Sequence, residues 1–182
     1  SIESCTAVNG GDSVFVCTGG NGKFTMTGGT VDGSITMPYT VGNEPVYMDG
    51  LGTAAYPYQI STADQLKLFR DIVNGTGGQA LNRGACAVLT ADIDLNNEPW
   101  TPIGKDTDDG TNNPYTGTFN GQGHTIKGLY VNLPDAAVGL FGCLNGAAVR
   151  NLTVDGYVQG CNTVGGIAGK ASANIAVSST VE

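Results

Sequence analysis

Apolar and polar positions change period several times along the chain. The first fifty residues hold short β-like runs, Val14 to Val16, Lys23 to Met26 and Ser34 to Met37, separated by Gly-Gly, Asn-Gly and Asp-Gly turns. They predict strands with tight corners. Beyond Tyr56 to Ile60 the period lengthens: Leu66, Phe69, Ile72 and Val73 fall three and four apart, behind Ser61 and Asp64 at capping-box spacing. That spacing predicts one short amphipathic helix near residues 62–74, closed at Asn74-Gly75, where glycine can take the left-handed cap. Period two then returns, with Leu89, Ala91, Ile93 and Leu95 on one face and Thr90, Asp92 and Asp94 on the other, as a half-buried strand requires. A polar loop from Gly104 to Pro114 follows.

From Thr116 a longer period sets in. Ile126, Leu129 and Val131 recur at one constant offset as Val149, Leu152 and Val154, with a third copy expected to begin at Ile175. Gly139-Leu140-Phe141-Gly142 returns at a slightly longer offset as Gly166-Ile167-Ala168-Gly169. Repeats of about 20 to 30 residues made of short apolar strands with Gly or Asn corners predict a β-solenoid. Its coils would stack at about 4.8 Å with apolar side chains inside.

Composition supports a turn-rich packed chain. Gly contributes 29 of 182 residues, well above the usual level of about 7%. Eight Lys and Arg against sixteen Asp and Glu give a net charge of −8, which repels a phosphate backbone and an anionic membrane surface. Nucleic-acid partners are therefore not expected, and without a run of about 18 apolar residues neither is membrane insertion. Ser1 opens without a leader and Thr180-Val181-Glu182 ends in strand-like sequence, so the chain is expected to be a piece of a longer protein. Cys5, Cys17, Cys86, Cys143 and Cys161 lack zinc-site spacing. Bridges Cys5–Cys17 and Cys143–Cys161 are conceivable, but burial as small apolar groups is the favoured expectation.

The ordered series Gly117-Thr118-Phe119-Asn120-Gly121-Gln122-Gly123-His124-Thr125-Ile126, Gly139-Leu140-Phe141-Gly142 and Val164-Gly165-Gly166-Ile167-Ala168-Gly169 resembles the GLUG-motif repeat family of bacterial surface proteins. Tyr56 to Ile60, Ala63 to Val73, Leu89 to Leu95 and Trp100-Thr101-Pro102-Ile103-Gly104 look like the lead-in to such repeats. The resemblance covers Asp49 to Glu182 and departs at Ala168, which stands where the first copy has Phe141. It implies an all-β chain, a right-handed parallel β-helix, in large secreted or wall-anchored adhesin-like proteins, with no catalytic residues; separately, no cofactor is expected other than a structural calcium ion. Residues 49–182 are expected to form that β-helix, and residues 1–48 an N-terminal β-rich cap or extra coils, because solenoid ends must shield their strand edges.

Candidate chemistry is sparse. His124, the single histidine, lacks a nucleophile and an orienting carboxylate nearby in sequence. Asp106, Asp108, Asp109 and Asn112 place oxygen ligands around a Gly-containing loop, which suits a structural calcium ion. Lys105 beside them is the one basic residue a calcium-assisted lyase would use. Asp108-Asp109 and Gly123-His124-Thr125 lack the further motifs of polygalacturonases. Trp100, Tyr115, Tyr130 and Tyr157 are candidates for an aromatic platform that stacks on sugar rings. The leading expectation is a non-catalytic extracellular segment of a bacterial cell-surface adhesin, presenting a β-helix to a host glycan or matrix protein. The alternatives are a structural stalk and a polysaccharide-acting enzyme or its accessory module.

Overall fold

The computed structural model describes residues 39–41, 44–106, 112–134, 137–172 and 176–181, all within one compact unit, Thr36–Glu182. The strands expected at Val14 to Val16, Lys23 to Met26 and Ser34 to Met37, the Cys5–Cys17 pair and the start of a third copy at Ile175 lie outside these residues.

The described chain is mostly strands with one helix. In order it runs β1 (Tyr39–Val41), β2 (Glu44–Val46), β3 (Tyr58–Ile60), α1 (Ala63–Asn74), β4 (Ala87–Leu89), β5 (Ile93–Asp94), β6 (Lys105–Asp106) and β7 (Asn112–Asn113). It continues through β8 (Thr118–Asn120), β9 (Thr125–Asn132), β10 (Ala137–Val138), β11 (Phe141–Asn145), β12 (Ala148–Gln159), β13 (Thr163–Val164), β14 (Ala168–Ser172) and β15 (Ala176–Val181). The main sheet has the order β3-β4-β8-β12-β9-β5, with β15 on β12, and its pairs are all parallel. β11 with β14 and β10 with β13 make two further parallel pairs. Antiparallel pairing joins β1 with β2 and β6 with β7, and a single antiparallel bridge sets Asp49 against Gln59 of β3.

The long strand β12 explains how the layers turn. Its first residues, Ala148–Arg150, pair with β8, and Thr153–Gln159 pair with β9. Below it, β4 pairs with β8 and β5 with β9, so each layer bends at the same place. The single strand expected over Leu89 to Leu95 is therefore two: Thr90 N donates to Ile60 O at the bend, and β5 resumes beyond it. Inward parity survives the corner, since Leu89, Ile93 and Leu95 are buried. An alternating pattern alone does not show a bend that keeps its parity.

Register corrects the shorter of the two repeat offsets. Ile126 pairs with Val154 rather than Val149, and Tyr130 pairs with Tyr157. Val149 pairs instead with Phe119 on the other arm of the bend. The match of Ile126 to Val149 joins apolar positions on different arms, which resemble each other because both arms bury alternate residues. The longer offset does hold: Phe141 pairs with Ala168. Gly142 shows why its motif needs glycine, because a Cβ there would stand 2.4 Å from Gly104 O of the neighbouring layer. Leu140 and Phe141 between the motif's two glycines are fully buried.

α1 is built as its sequence requires, one residue late at its start. Thr62, not Ser61, is the N-cap and accepts from Gln65 N, while Gln65 Oε1 reaches back to Ser61 N at 2.8 Å. Gly75 closes the helix at φ 66°. Leu66, Phe69 and Val73 face inward, and the Phe69 ring lies 6.0 Å from Tyr115 and 5.7 Å from Phe119. Phe141 completes this aromatic cluster, 5.3 Å from Tyr115 and 5.4 Å from Phe119. Cys143 is buried, Cys86 half-buried and Cys161 exposed, and no Cys143–Cys161 bridge forms: one side chain points inward and the other lies on an exposed turn.

Candidate functional site

The outward face of β9 and of the second half of β12 presents two side chains from each strand, in register. Tyr130 pairs with Tyr157 and Asn132 with Gln159. Leu129 and Val131 point inward between them, so alternation alone sends Tyr130 and Asn132 outward. Pro99 bridges to Tyr130 from the layer below. The tyrosine rings stack on each other, with centroids 5.6 Å apart and planes at 18°, the offset arrangement aromatic quadrupoles favour. The Tyr157 hydroxyl donates to Gln159 Oε1, and Tyr157 is 52% exposed. The strip therefore offers the exposed part of the Tyr157 ring, phenolic edges and two amides.

The other two platform candidates are core residues, which corrects the expectation for them. Tyr115 is fully buried; its hydroxyl donates to Ala85 O at 2.8 Å, and burial pushes its phenol well above the usual value of 10.0. Trp100 is buried, its Nε1 donates to Leu140 O at 3.1 Å, and the Arg70 guanidinium sits 5.1 Å from its ring centre. A ring enclosed in this way cannot stack on a sugar.

Of the four candidate calcium ligands, Asp106 in β6 pairs with Asn112 in β7 across the base of a hairpin. Asp108 and Asp109 lie outside the described residues. Lys105, half-buried, opens the same hairpin opposite Asn113.

Sequence reasoning missed the partner of His124. Asp92 Oδ1 lies 3.1 Å from His124 Nδ1 and accepts from Thr125 N at 2.9 Å. The Thr125 N–H, then the imidazole, hold the Asp92 carboxyl below the usual 3.8. Asp94 is likewise lowered, by Asn96 N and then by Lys127 Nζ at 3.1 Å. Asp92 and His124 stand 32 residues apart, and only the layer register could have joined them. Both carboxylates tie one layer to the next at the bend, and neither stands beside a nucleophile in these contacts.

No helix among the described residues is long and apolar enough to cross a membrane. No family model matches the chain, and no solved structure matches it. The chain is 34% identical over 113 residues to a protein of Evansella cellulosilytica named as a Gly-rich membrane protein, a stretch that covers 61% of this chain and 12% of that one. It is 36% identical over 138 residues to the Halomucin of Haloquadratum walsbyi, covering 69% of this chain and 1% of that protein. The chain therefore spans a small part of the length of each of these two relatives.

Proposed function

We propose that the chain is a non-catalytic, extracellular segment of a large microbial surface protein. In this reading it is a right-handed parallel β-helix of GLUG-type coils that presents its outer side to a ligand. The observation that carries the reading is the parallel, in-register pairing of successive layers, Phe141 on Ala168 and Ile126 on Val154, around an apolar interior. The small share of very long relatives with which it aligns supports a repeated building unit within a larger chain. The names of those relatives, a membrane protein and a halomucin, support placement at the cell surface. The ligand-presenting face is the strip of Tyr130, Tyr157, Asn132 and Gln159, where a phenol face beside amides suits the C–H faces and hydroxyls of a glycan.

A second reading, a structural stalk, is favoured by one specific observation: Tyr130 and Tyr157 stack on each other, as a device joining adjacent layers would. A glycan and matrix-protein array, run with calcium and with chelator, separates the two. Specific binding that is lost in Tyr157→Ala, with the fold intact, supports the presenting surface. Absence of binding by the folded chain overturns it in favour of the stalk. Turnover of any arrayed polysaccharide would overturn the non-catalytic assignment.

A further inference from the structure

The sequence contains two Asn-x-Thr triplets, Asn74-Gly75-Thr76 and Asn151-Leu152-Thr153, the pattern that oligosaccharide transferases accept. The fold treats them in opposite ways. Asn74 ends α1 and is buried, its Nδ2 donating to Pro102 O at 2.9 Å and its Oδ1 accepting from Gly104 N at 2.8 Å. That nitrogen is packed against Pro102 in a buried position, so a sugar on it has no room unless the helix end moves away from the loop it anchors.

Asn151 is the reverse case. It is exposed and sits at φ 52°, at the bend of β12. The register with β15 shifts between Arg150 and Leu152, so Asn151 is an extra residue bulged out of the ladder. Its backbone carbonyl accepts from Gly123 N, which fixes the corner without using the side chain. Its Nδ2 donates to Asn120 Oδ1 at 3.2 Å, a surface bond that takes one of two N–H groups. Leu152, the middle residue of the triplet, is buried, which holds Asn151 outward.

We propose that Asn151 is an acceptor for an N-linked glycan and that Asn74 is not. The proposal rests on the extracellular reading above. In the transfer, Asn151 Nδ2 attacks the anomeric carbon of a lipid-diphosphate-linked oligosaccharide. A C–N bond forms, the sugar–phosphate C–O bond breaks, the lipid diphosphate leaves and the amide proton passes to a base of the transferase. No oxidant or reductant is needed. The product carries its glycan at the bulged corner, clear of the parallel ladder on either side.

The test uses the full protein isolated from cells that make it. Protease shaving of intact cells reports export, and mass spectrometry of the peptides containing Asn74 and Asn151 reports modification. The expected result is a shaved, surface-located chain with a glycan mass on the Asn151 peptide and none on the Asn74 peptide. Thr153→Ala should reduce Asn151 occupancy to the detection limit, and Thr153→Ser should restore it. A surface-located chain with a bare Asn151 peptide overturns the proposal and leaves the extracellular reading standing. A chain that shaving never reaches overturns that reading and this proposal with it. A glycan on Asn74 of the folded protein overturns the argument from burial.

Discussion

Tyr115 distinguishes a surface platform from a packed interior. Truncation to alanine removes a ring that contacts Phe141, at 5.3 Å between centroids, and Phe69, at 6.0 Å, inside a fully buried cluster. Large aromatic-to-alanine changes in cores cost about 3–5 kcal/mol, and the lost hydrogen bond to Ala85 O adds about 1 kcal/mol. We expect Tyr115→Ala to destabilise the chain by roughly 4–6 kcal/mol, a fall in Tm on the order of 8–24 °C for a domain of this size. Tyr115→Phe keeps the packing and should cost only about 1–3 kcal/mol, mostly for the unpaired carbonyl. Trp100 is the single tryptophan and is buried, so its fluorescence in urea reads unfolding directly. An unchanged urea midpoint for Tyr115→Ala would refute the core assignment. Equal losses for the two variants would refute the assignment of most of the energy to ring packing.

Three further predictions concern the layers. Leu152→Asp places an unpaired charge at a buried position and should abolish cooperative thermal unfolding; an unchanged melting curve would show that Leu152 does not point inward. Gly142→Ala forces a methyl group to within 2.4 Å of Gly104 O and should lower stability by about 1–3 kcal/mol in urea titration, whereas a neutral result would remove the close-approach account of that glycine. Asp92 and Asp94 have folded values lowered from 3.8, so the stability they contribute is present above that value and lost as pH falls through the folded one. Tm should therefore decline below about pH 4, and the double variant Asp92→Asn, Asp94→Asn should flatten that decline; an acid limb unchanged in the variant would assign it to other groups.

Local signals were legible in the sequence and long-range ones were only partly so. The period of Leu66, Phe69, Ile72 and Val73 and the Asn74-Gly75 stop located α1, because helix periodicity and a left-handed cap are properties of neighbouring residues. The Gly139 to Gly142 motif gave the correct layer-to-layer offset because its glycines meet the backbone of adjoining layers. The Ile126, Leu129, Val131 series misled, since strands on both arms of a bend carry the same alternation. Exposure of single aromatics was the least legible feature. Trp100 and Tyr115 bury their rings by donating to carbonyls 40 and 30 residues away, and the Asp92–His124 pair likewise depends on layers brought together by the fold.

The register between layers is the central claim, and methyl-to-methyl nuclear Overhauser effects in a chain with labelled Ile and Val side chains test it most directly. The account predicts a strong cross-peak between Ile126 and Val154, and proximity of Val149 to the Phe119 ring. A direct cross-peak between Ile126 and Val149, with none between Ile126 and Val154, would establish the shorter stacking offset instead and contradict the layered arrangement described above.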